Sequence, residues 1–400
     1  MPDSTSQKHD IPTIAEKNRV VDRIVDTMLH GDRFLVLGHK QPDEDCLSSM
    51  VSIGLVLSKL SKDVELLTDE TLPDHFQYLV QICKYNTISV NEHLHKDGPL
   101  PDAVFMLDTP KPDMLQLGEV GRKAMNDPGV TKIEIDHHLE ADSVYCGDKE
   151  YSLVAEASSA AELVGYLACK MNTRELLVEN HPVPDLFSRN LVLAILTGII
   201  GDTQMGKYIK TRKEQRFYSM FSEMFNRLLV EKTTKRTNFF NMQQVYTEIR
   251  RLSNKEASFY DFMMERKHFS DNVGYVALDQ SESAYMHGHF DDDTVSSVAR
   301  GVADDLAESS GTVSLVAFYD FPEKSDLVQF RSRRSQQTRN LDLRDLLERM
   351  GIENGGGHEG AIGFRIPKDK IGDFHGYISE IISNLEQLIM AKTGDPARDA

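Results

Sequence analysis

Four short stretches of this sequence carry residue types that chemistry uses. Gly38-His39-Lys-Gln-Pro42-Asp43-Glu-Asp45 offers one imidazole and two carboxylates, Asp108 follows the apolar run 103–107, Asp136-His137-His138 follows 132–135, and Asp202 closes the apolar stretch 191–201. Taken singly, an Asp-x-Asp is ordinarily a turn or a helix cap, and a His-His pair is a solvated accident. Four such features in order, each at the end of an apolar element, point to a site. Packed together, the carboxylates would repel one another and raise their own pKa values; two divalent cations would cancel that charge. Carboxylate and imidazole donors suit Mn²⁺, with Fe²⁺ or Zn²⁺ as alternatives and Mg²⁺ a poorer fit. One aspartate can bridge two metals about 3.5–4 Å apart, and such a pair activates water for in-line phosphoryl displacement. The sequence offers no convincing Ser-His-Asp or Cys-His arrangement that would supply a protein nucleophile instead.

Elements with suitable periodicity surround these residues. Stretches 34–37, 64–67, 103–107 and 132–135 read as short buried strands, and 46–60, 158–170 and 186–200 read as helices. Strands alternating with helices imply βαβ units, hence a parallel sheet with helices on both faces. In such a sheet the strand ends converge on one edge, where ligands bind. Segments 213–230 and 241–266 have helical spacing and no proline, whereas alternation resumes with strands 273–278, 312–319 and 326–330 and helices 294–308 and 341–350. The expected organisation is a catalytic α/β domain over 13–210, a helical connector over 211–266 and a smaller α/β domain over 267–391, with the active site in the cleft between the two domains. Residues 1–12 and 392–400 read as frayed termini.

The bulk numbers narrow the partners. The chain has 400 residues, enough for two cores, and 40% of them are apolar. Its net charge of −18 opposes long nucleic acid and favours a small anionic substrate gripped locally. Cys46, Cys83, Cys146 and Cys169 form no C-x-x-C pair, no secretory signal pattern opens the chain, and the longest apolar run, 191–201, is too short to span a bilayer. A cytoplasmic protein without membrane contact is the expectation.

These motifs resemble the DHH phosphoesterase family. Asp136-His137-His138 matches the signature that names it, His39-x-x-Pro42-Asp43-x-Asp45 is similar to its first motif, Asp108 to its second and Gly198-Ile-Ile-Gly-Asp202-Thr203 to its fourth. Gly355-Gly356-Gly357-His358-Glu-Gly-Ala361-Ile-Gly363-Phe364 is similar to the GGGH segment of the DHH-associated domain. The resemblance implies that His39, Asp43 and Asp108 hold one metal. Asp45, Asp108, His137 and Asp202 would hold a second, with Asp108 bridging. It implies that Asp136 orients a histidine and that His138 faces the scissile phosphate. Ser332-x-Arg334-Ser335 resembles the family's S-x-R-S element, which makes Arg334 and Ser332, with Gly356, Gly357 and His358, the expected substrate contacts. Gln41, Glu44 and Cys46 depart from the family pattern without replacing a ligand.

The resulting expectation is a phosphodiesterase with two Mn²⁺ ions that cleaves short nucleotides: linear dinucleotides or nanoRNA, c-di-AMP-type dinucleotides, or 3′-phosphoadenosine 5′-phosphate. The alternatives are a pyrophosphatase or polyphosphatase, against which the GGGH segment argues, and a nucleotide-binding regulator without turnover. The helical segment 211–266 leaves room for a homodimer.

Overall fold

The computed structural model describes residues 6–393 except 69–71, 92–98, 141, 175, 179–180, 184, 232–238, 240, 250–253, 322–324, 339 and 353. The chain divides into two compact units, 1–251 and 252–400.

The first unit runs α1 (Ile14–His30), β1 (Arg33–Leu37), α2 (Glu44–Lys59), β2 (Asp63–Leu67), α3 (Gln77–Tyr85), β3 (Ser89–Val90), β4 (Ala103–Leu107), α4 (Gly118–Asn126), β5 (Thr131–Asp136), β6 (Ser152–Val154) and α5 (Ala160–Asn172). The hairpin β7 (Leu177–Val178) and β8 (His181–Pro182) follows, then α6 (Arg189–Asp202), α7 (Arg212–Glu231) and α8 (Met242–Ile249). Six strands form a parallel sheet in the order β3-β2-β1-β4-β5-β6. The order reverses between β1 and β4, which makes that pair the switch point of a doubly wound sheet, where crevices open at the carboxyl ends.

The apolar runs of the strands are buried on both faces. Phe34, Val36, Phe105 and Leu107 point to the large core beneath α1, α2, α5 and α6. Their neighbours Leu35, Leu37, Val104 and Met106 point to the smaller core beneath α4. Residues 191–200 of α6 are all buried, so the longest apolar run is a core helix packed on α2. Among the described residues no helix is long and apolar enough to cross a membrane.

The second unit comprises α9 (Asn254–Met264), β9 (His268–Phe269), β10 (Val273–Ala277), α10 (Gln280–His289), α11 (Asp292–Ser310), β11 (Val313–Tyr319), β12 (Leu327–Arg334), α12 (Arg344–Arg349), β13 (Gly355–His358), β14 (Ala361–Pro367) and α13 (Phe374–Thr393). Its mixed sheet has the order β13-β14-β12-β11-β10-β9, with β10 and β11 parallel and the other pairs antiparallel. Two cores sit on its two faces: α12 and α13 cover Val328 and Phe330, while α9 and α11 cover Val316 and Phe318.

Two readings of the sequence change. Segment 211–266 is no separate connector, because its apolar residues are split between the units. Phe221, Phe225, Leu228, Val245 and Ile249 of α7 and α8 complete the first core, whereas Phe259 and Met263 of α9 pack in the second unit. The N-terminal residues are not frayed from Ser6 onward. Gln7 bridges to Val144, and Lys8 N–H donates to the Ser143 carbonyl at 2.9 Å.

Candidate metal centre

The six expected ligands arrive from five elements, β1, α2, β4, β5 and α6, at the β1/β4 switch point. His39 lies just past β1 in a stretch pinned to the chain beyond β4: Lys40 N–H donates to Met114 O at 2.8 Å and Gln116 N–H to Gly38 O at 2.9 Å. Asp43 caps α2, its carboxylate accepting from Cys46 N–H at 3.1 Å. Asp45, in the first turn of α2, is 1% exposed. Its two oxygens accept the first amides of α5, from Ala160 at 2.5 Å and Ala161 at 2.8 Å, so a helix N-terminus supports its charge. Ser159 caps the same helix, with Glu162 N–H donating to its hydroxyl at 3.0 Å. The reciprocal bond of a capping box goes instead to Ser158, whose N–H donates to Glu162 at 3.1 Å.

Asp108 follows β4 and keeps that strand's ladder, donating its N–H to Ile135 O at 3.1 Å. Its φ of +49° lies in the left-handed region, which aspartate tolerates better than most residues. The turn aims its side chain between two imidazoles. Asp108 Oδ2 is 3.8 Å from His39 Nε2, and Oδ1 is 3.4 Å from His137 Nε2. His39 Nε2 also lies 3.7 Å from Asp43, and His137 Nε2 lies 3.8 Å from Asp45 and 3.5 Å from Asp202. Such distances exceed an ordinary N–H···O bond of about 2.9 Å. They approach the roughly 3.0–3.4 Å between two donors each about 2.1 Å from one ion.

Asp202 reaches this group because two glycines let α6 lie against α2. A Cβ on Gly198 would stand 2.4 Å from Ser48 Oγ, 2.5 Å from the Ala161 Cβ and 2.6 Å from Asp45 Oδ1; one on Gly201 would stand 2.7 Å from the Glu44 Cβ. Gly198→Ala should therefore cost about 1–3 kcal/mol by overpacking, read as a lower urea midpoint at unchanged m. Its displacement of Asp45 should also weaken divalent-ion binding in calorimetry.

The electrostatics match an anionic cluster awaiting cations. Burial, then the neighbouring Asp108, push Asp45 above the carboxylate range; desolvation by the surrounding site and Asp45 shift Asp202 the same way, although that residue keeps a solvent-exposed face. Burial opposes charge on His137, yet the facing Asp108 and the other surrounding carboxylates raise it well above the usual imidazole value. Oδ1 of Asp108 is buried with no hydrogen-bond partner among the described residues, a cost that an ion would remove. The donor set thus fits divalent metals: His39 with Cys46 and Asp108, and Asp45 with His137 and Asp202, each converge within 4.8 Å. Sequence reasoning sets Cys46 aside as a departure, and the fold places its thiol beside His39.

His138 and Asp136 stand next to this cluster. Asp136 Oδ1 accepts from His138 Nδ1 at 2.8 Å. His138 Nδ1 is also 3.6 Å from Asp108. Burial would raise Asp136, but His138 and Lys8 together hold it well below the carboxylate range. As a carboxylate, Asp136 keeps the proton on Nδ1, leaving Nε2 for another partner.

The expected substrate contacts all lie in the second unit. Ser332 is buried, its hydroxyl donating to Ser314 O at 2.7 Å. Arg334 donates to Glu359 at 2.9 Å and to the Leu341 carbonyl, so both are engaged within the fold. Gly356, Gly357 and His358 belong to the edge strand β13, paired with β14. Gly357 has φ +133°, and a Cβ there would meet the Ala361 carbonyl oxygen at 2.1 Å; beside Gly356 there is open space. A neighbouring arginine of the same basic stretch, which the S-x-R-S element leaves unassigned, is Arg331. Its Nε is buried without a partner among the described residues. Burial, then Arg300, Arg333 and Arg365, lower its pKa to about 10. The period-2 alternation of β12 is the available signal, since it separates Arg331 and Arg333 from the core-facing Phe330 and Ser332.

A doubly wound α/β unit with carboxylates and imidazoles gathered at its switch point defines a protein built to bind divalent metals. Residues 33–199 match the DHH family N-terminal domain and residues 281–384 match the DHHA1 domain. The chain belongs to the DHH phosphoesterase family. An exopolyphosphatase-related protein from Bacteroides fragilis shares the fold, with TM-score 0.62 and 18% identity over 94% of this chain and 96% of that one. RecJ from Thermus thermophilus, in complex with Mn²⁺, gives TM-score 0.42 and 14% identity over 95% of this chain and 56% of its own. A pGpG-specific phosphodiesterase, PggH, from Vibrio cholerae gives 0.35 and 13% over 88% and 99%. No curated protein matches the chain.

Proposed function

We propose that this phosphoesterase hydrolyses the phosphodiester bond of short nucleotides, using two divalent ions for which Mn²⁺ suits the donor set. The carrying observation is Asp108, whose two oxygens face two separate imidazole-centred groups. His39 and Asp43 with Asp108 would hold one ion; Asp45, His137 and Asp202 with Asp108 would hold the other. When bound, such a pair lowers the pKa of a water and offsets charge on the phosphoryl oxygens. The chain's own contribution beside it is His138. Asp136 fixes its Nδ1 proton, and the raised pKa of the ring lets Nε2 carry a proton to the departing oxygen.

On the recognition side, Arg331 is the better phosphate donor, because its guanidinium has a buried N–H to satisfy. Arg334 would first have to release Glu359. The net charge of −18 supports a small substrate over long duplex nucleic acid, and four unpaired thiols suit a reducing compartment such as the cytoplasm.

The test is turnover of a panel in Mn²⁺: the 5′-phosphorylated dinucleotide pApA, c-di-AMP, 3′-phosphoadenosine 5′-phosphate, pyrophosphate and tripolyphosphate. Release of mononucleotide from pApA is expected. Cleavage of only pyrophosphate or tripolyphosphate would replace the reading, and binding without turnover of any compound would make the protein a regulator. Arg331→Ala should raise KM by about 10-fold or more with kcat little changed, the pattern of lost uniform binding. Arg334→Ala should instead lower the urea midpoint.

A further inference from the structure

A buried lysine outside the matched family regions reaches the underside of the Asp136-His137-His138 motif. Residues 6–10 lie along the chain at 143–145: Gln7 bridges Val144, Lys8 N–H donates to Ser143 O at 2.9 Å, and Tyr145 N–H donates to Ser6 O at 3.3 Å. Asp10 then accepts from Glu156 N–H at 3.0 Å. This stitching drives Lys8 inward until it is 1% exposed. Its ammonium donates to Thr109 O at 2.6 Å, lies 2.7 Å from Glu134 Oε1 and hydrogen-bonds Asp136 Oδ2. Glu134 and Asp136 are two residues apart on β5, hence on one face of the sheet, and both are buried.

Burying one ammonium and two carboxylates is expensive and stabilises little compared with apolar packing. Structure alone therefore explains the arrangement poorly. Each end of Asp136 has a task. Oδ2 is held by Lys8, which leaves Oδ1 aimed at His138 Nδ1, 2.8 Å away. Glu134 is held in part by other donors, with Oε2 accepting from Cys146 and Gly147 N–H at 3.0 Å each, while its buried Oε1 faces the Lys8 ammonium.

We propose that Lys8 is a positioning residue for the phosphoesterase reaction: the N-terminal segment 6–10 inserts it beneath β5, where it fixes the Asp136 carboxylate and through it the orientation of the His138 ring. This rests on the role of His138 proposed above, and the geometric part can be measured without turnover. Residues that orient active-site groups from behind typically cost 10- to 100-fold when removed.

The experiment compares the full-length wild type with Lys8→Met and with the double variant Lys8→Met/Glu134→Gln. The double variant keeps the total charge of the buried trio and so guards against simple misfolding. Two signals are read. One is the ¹⁵N spectrum of the His138 ring in metal-free protein, where loss of the Nδ1–H···Asp136 bond shifts Nδ1. The other is pApA hydrolysis in Mn²⁺. In both variants the expected results are a shifted His138 Nδ1 signal and kcat lowered by about 10- to 100-fold with KM within twofold. Methylammonium is expected to restore part of the kcat of Lys8→Ala. A wild-type His138 signal in the folded double variant would overturn the proposal, as would unchanged kcat. If the wild type itself turned over nothing, the functional reading would fall while the spectrum still decided whether Lys8 orients His138.

Discussion

Asp108→Asn is expected to abolish turnover, by more than about 1,000-fold, while making the metal-free protein more stable. The loss exceeds the 10- to 100-fold typical of outer residues because both ion groups share this carboxylate. Its Oδ2 faces His39 and its Oδ1 faces His137, so a neutral amide weakens two sites at once. The gain in stability follows from the same geometry. Asp108 is the largest charge raising Asp45, and its buried Oδ1 lacks a hydrogen-bond donor among the described residues. Removing the charge relieves the repulsion, and a neutral amide is cheaper to bury at this position than a carboxylate. Asparagine also tolerates φ +49°, so the backbone is preserved, whereas alanine would add strain. In calorimetry the metal-free Tm should rise by about 2–5 °C, and titration with Mn²⁺ should show neither tight site. Wild-type Mn²⁺ binding by the variant would refute the bridging role. Such an exchange of stability for function is common where like charges are assembled for chemistry.

Stripping divalent ions from the wild type should destabilise it, and more at pH 8 than at pH 5.5. Asp45 and Asp202 have folded-state pKa values raised above those of the unfolded chain, and so does His137. The metal-free folded state therefore binds more protons than the unfolded state once pH exceeds the ordinary carboxylate pKa of about 4. By linkage, its stability falls as pH rises through that window. Asp136 has the opposite shift, but its contribution is complete above its unfolded pKa and constant across the range compared. Metal takes the place of the protons, so its binding should release protons and grow stronger toward pH 8. The expected result is a Tm lower by at least about 5 °C at pH 8 than at pH 5.5 after chelation, with the gap closed by Mn²⁺. A metal-free Tm that rose with pH would show that these groups are not protonated in the folded protein.

The sequence by itself marked the candidate site residues and determined the class of fold. His39, Asp43, Asp45, Asp108, Asp136, His137, His138 and Asp202 could be picked out because they cluster in four short stretches that follow apolar strands or close an apolar helix. Parallel-sheet geometry sends such ends to a single edge. Strand patterning likewise placed 103–107 and 132–135 in the sheet: the first is a continuous apolar run buried on both faces, whereas the second alternates Ile133 and Ile135 with the buried polar residues Lys132 and Glu134.

Tertiary structure decided what depends on contacts between distant residues. Whether 211–266 joined one core or two was settled by which apolar surfaces Phe221, Phe225, Phe259 and Met263 meet. Arg334 and Arg331 are three residues apart on one strand, and pairing with Glu359 engages one while burial among arginines leaves the other's Nε unsatisfied. Lys8 was least legible of all. Its neighbours are polar and aperiodic, so local pattern marks it as a tail. Its partners Glu134 and Asp136 lie more than 120 residues away. Periodicity records which face of an element is buried; it carries no record of which distant charge a buried residue meets. The residues gathered at the switch point are therefore readable from the chain, and the contacts that hold them there are supplied by the fold.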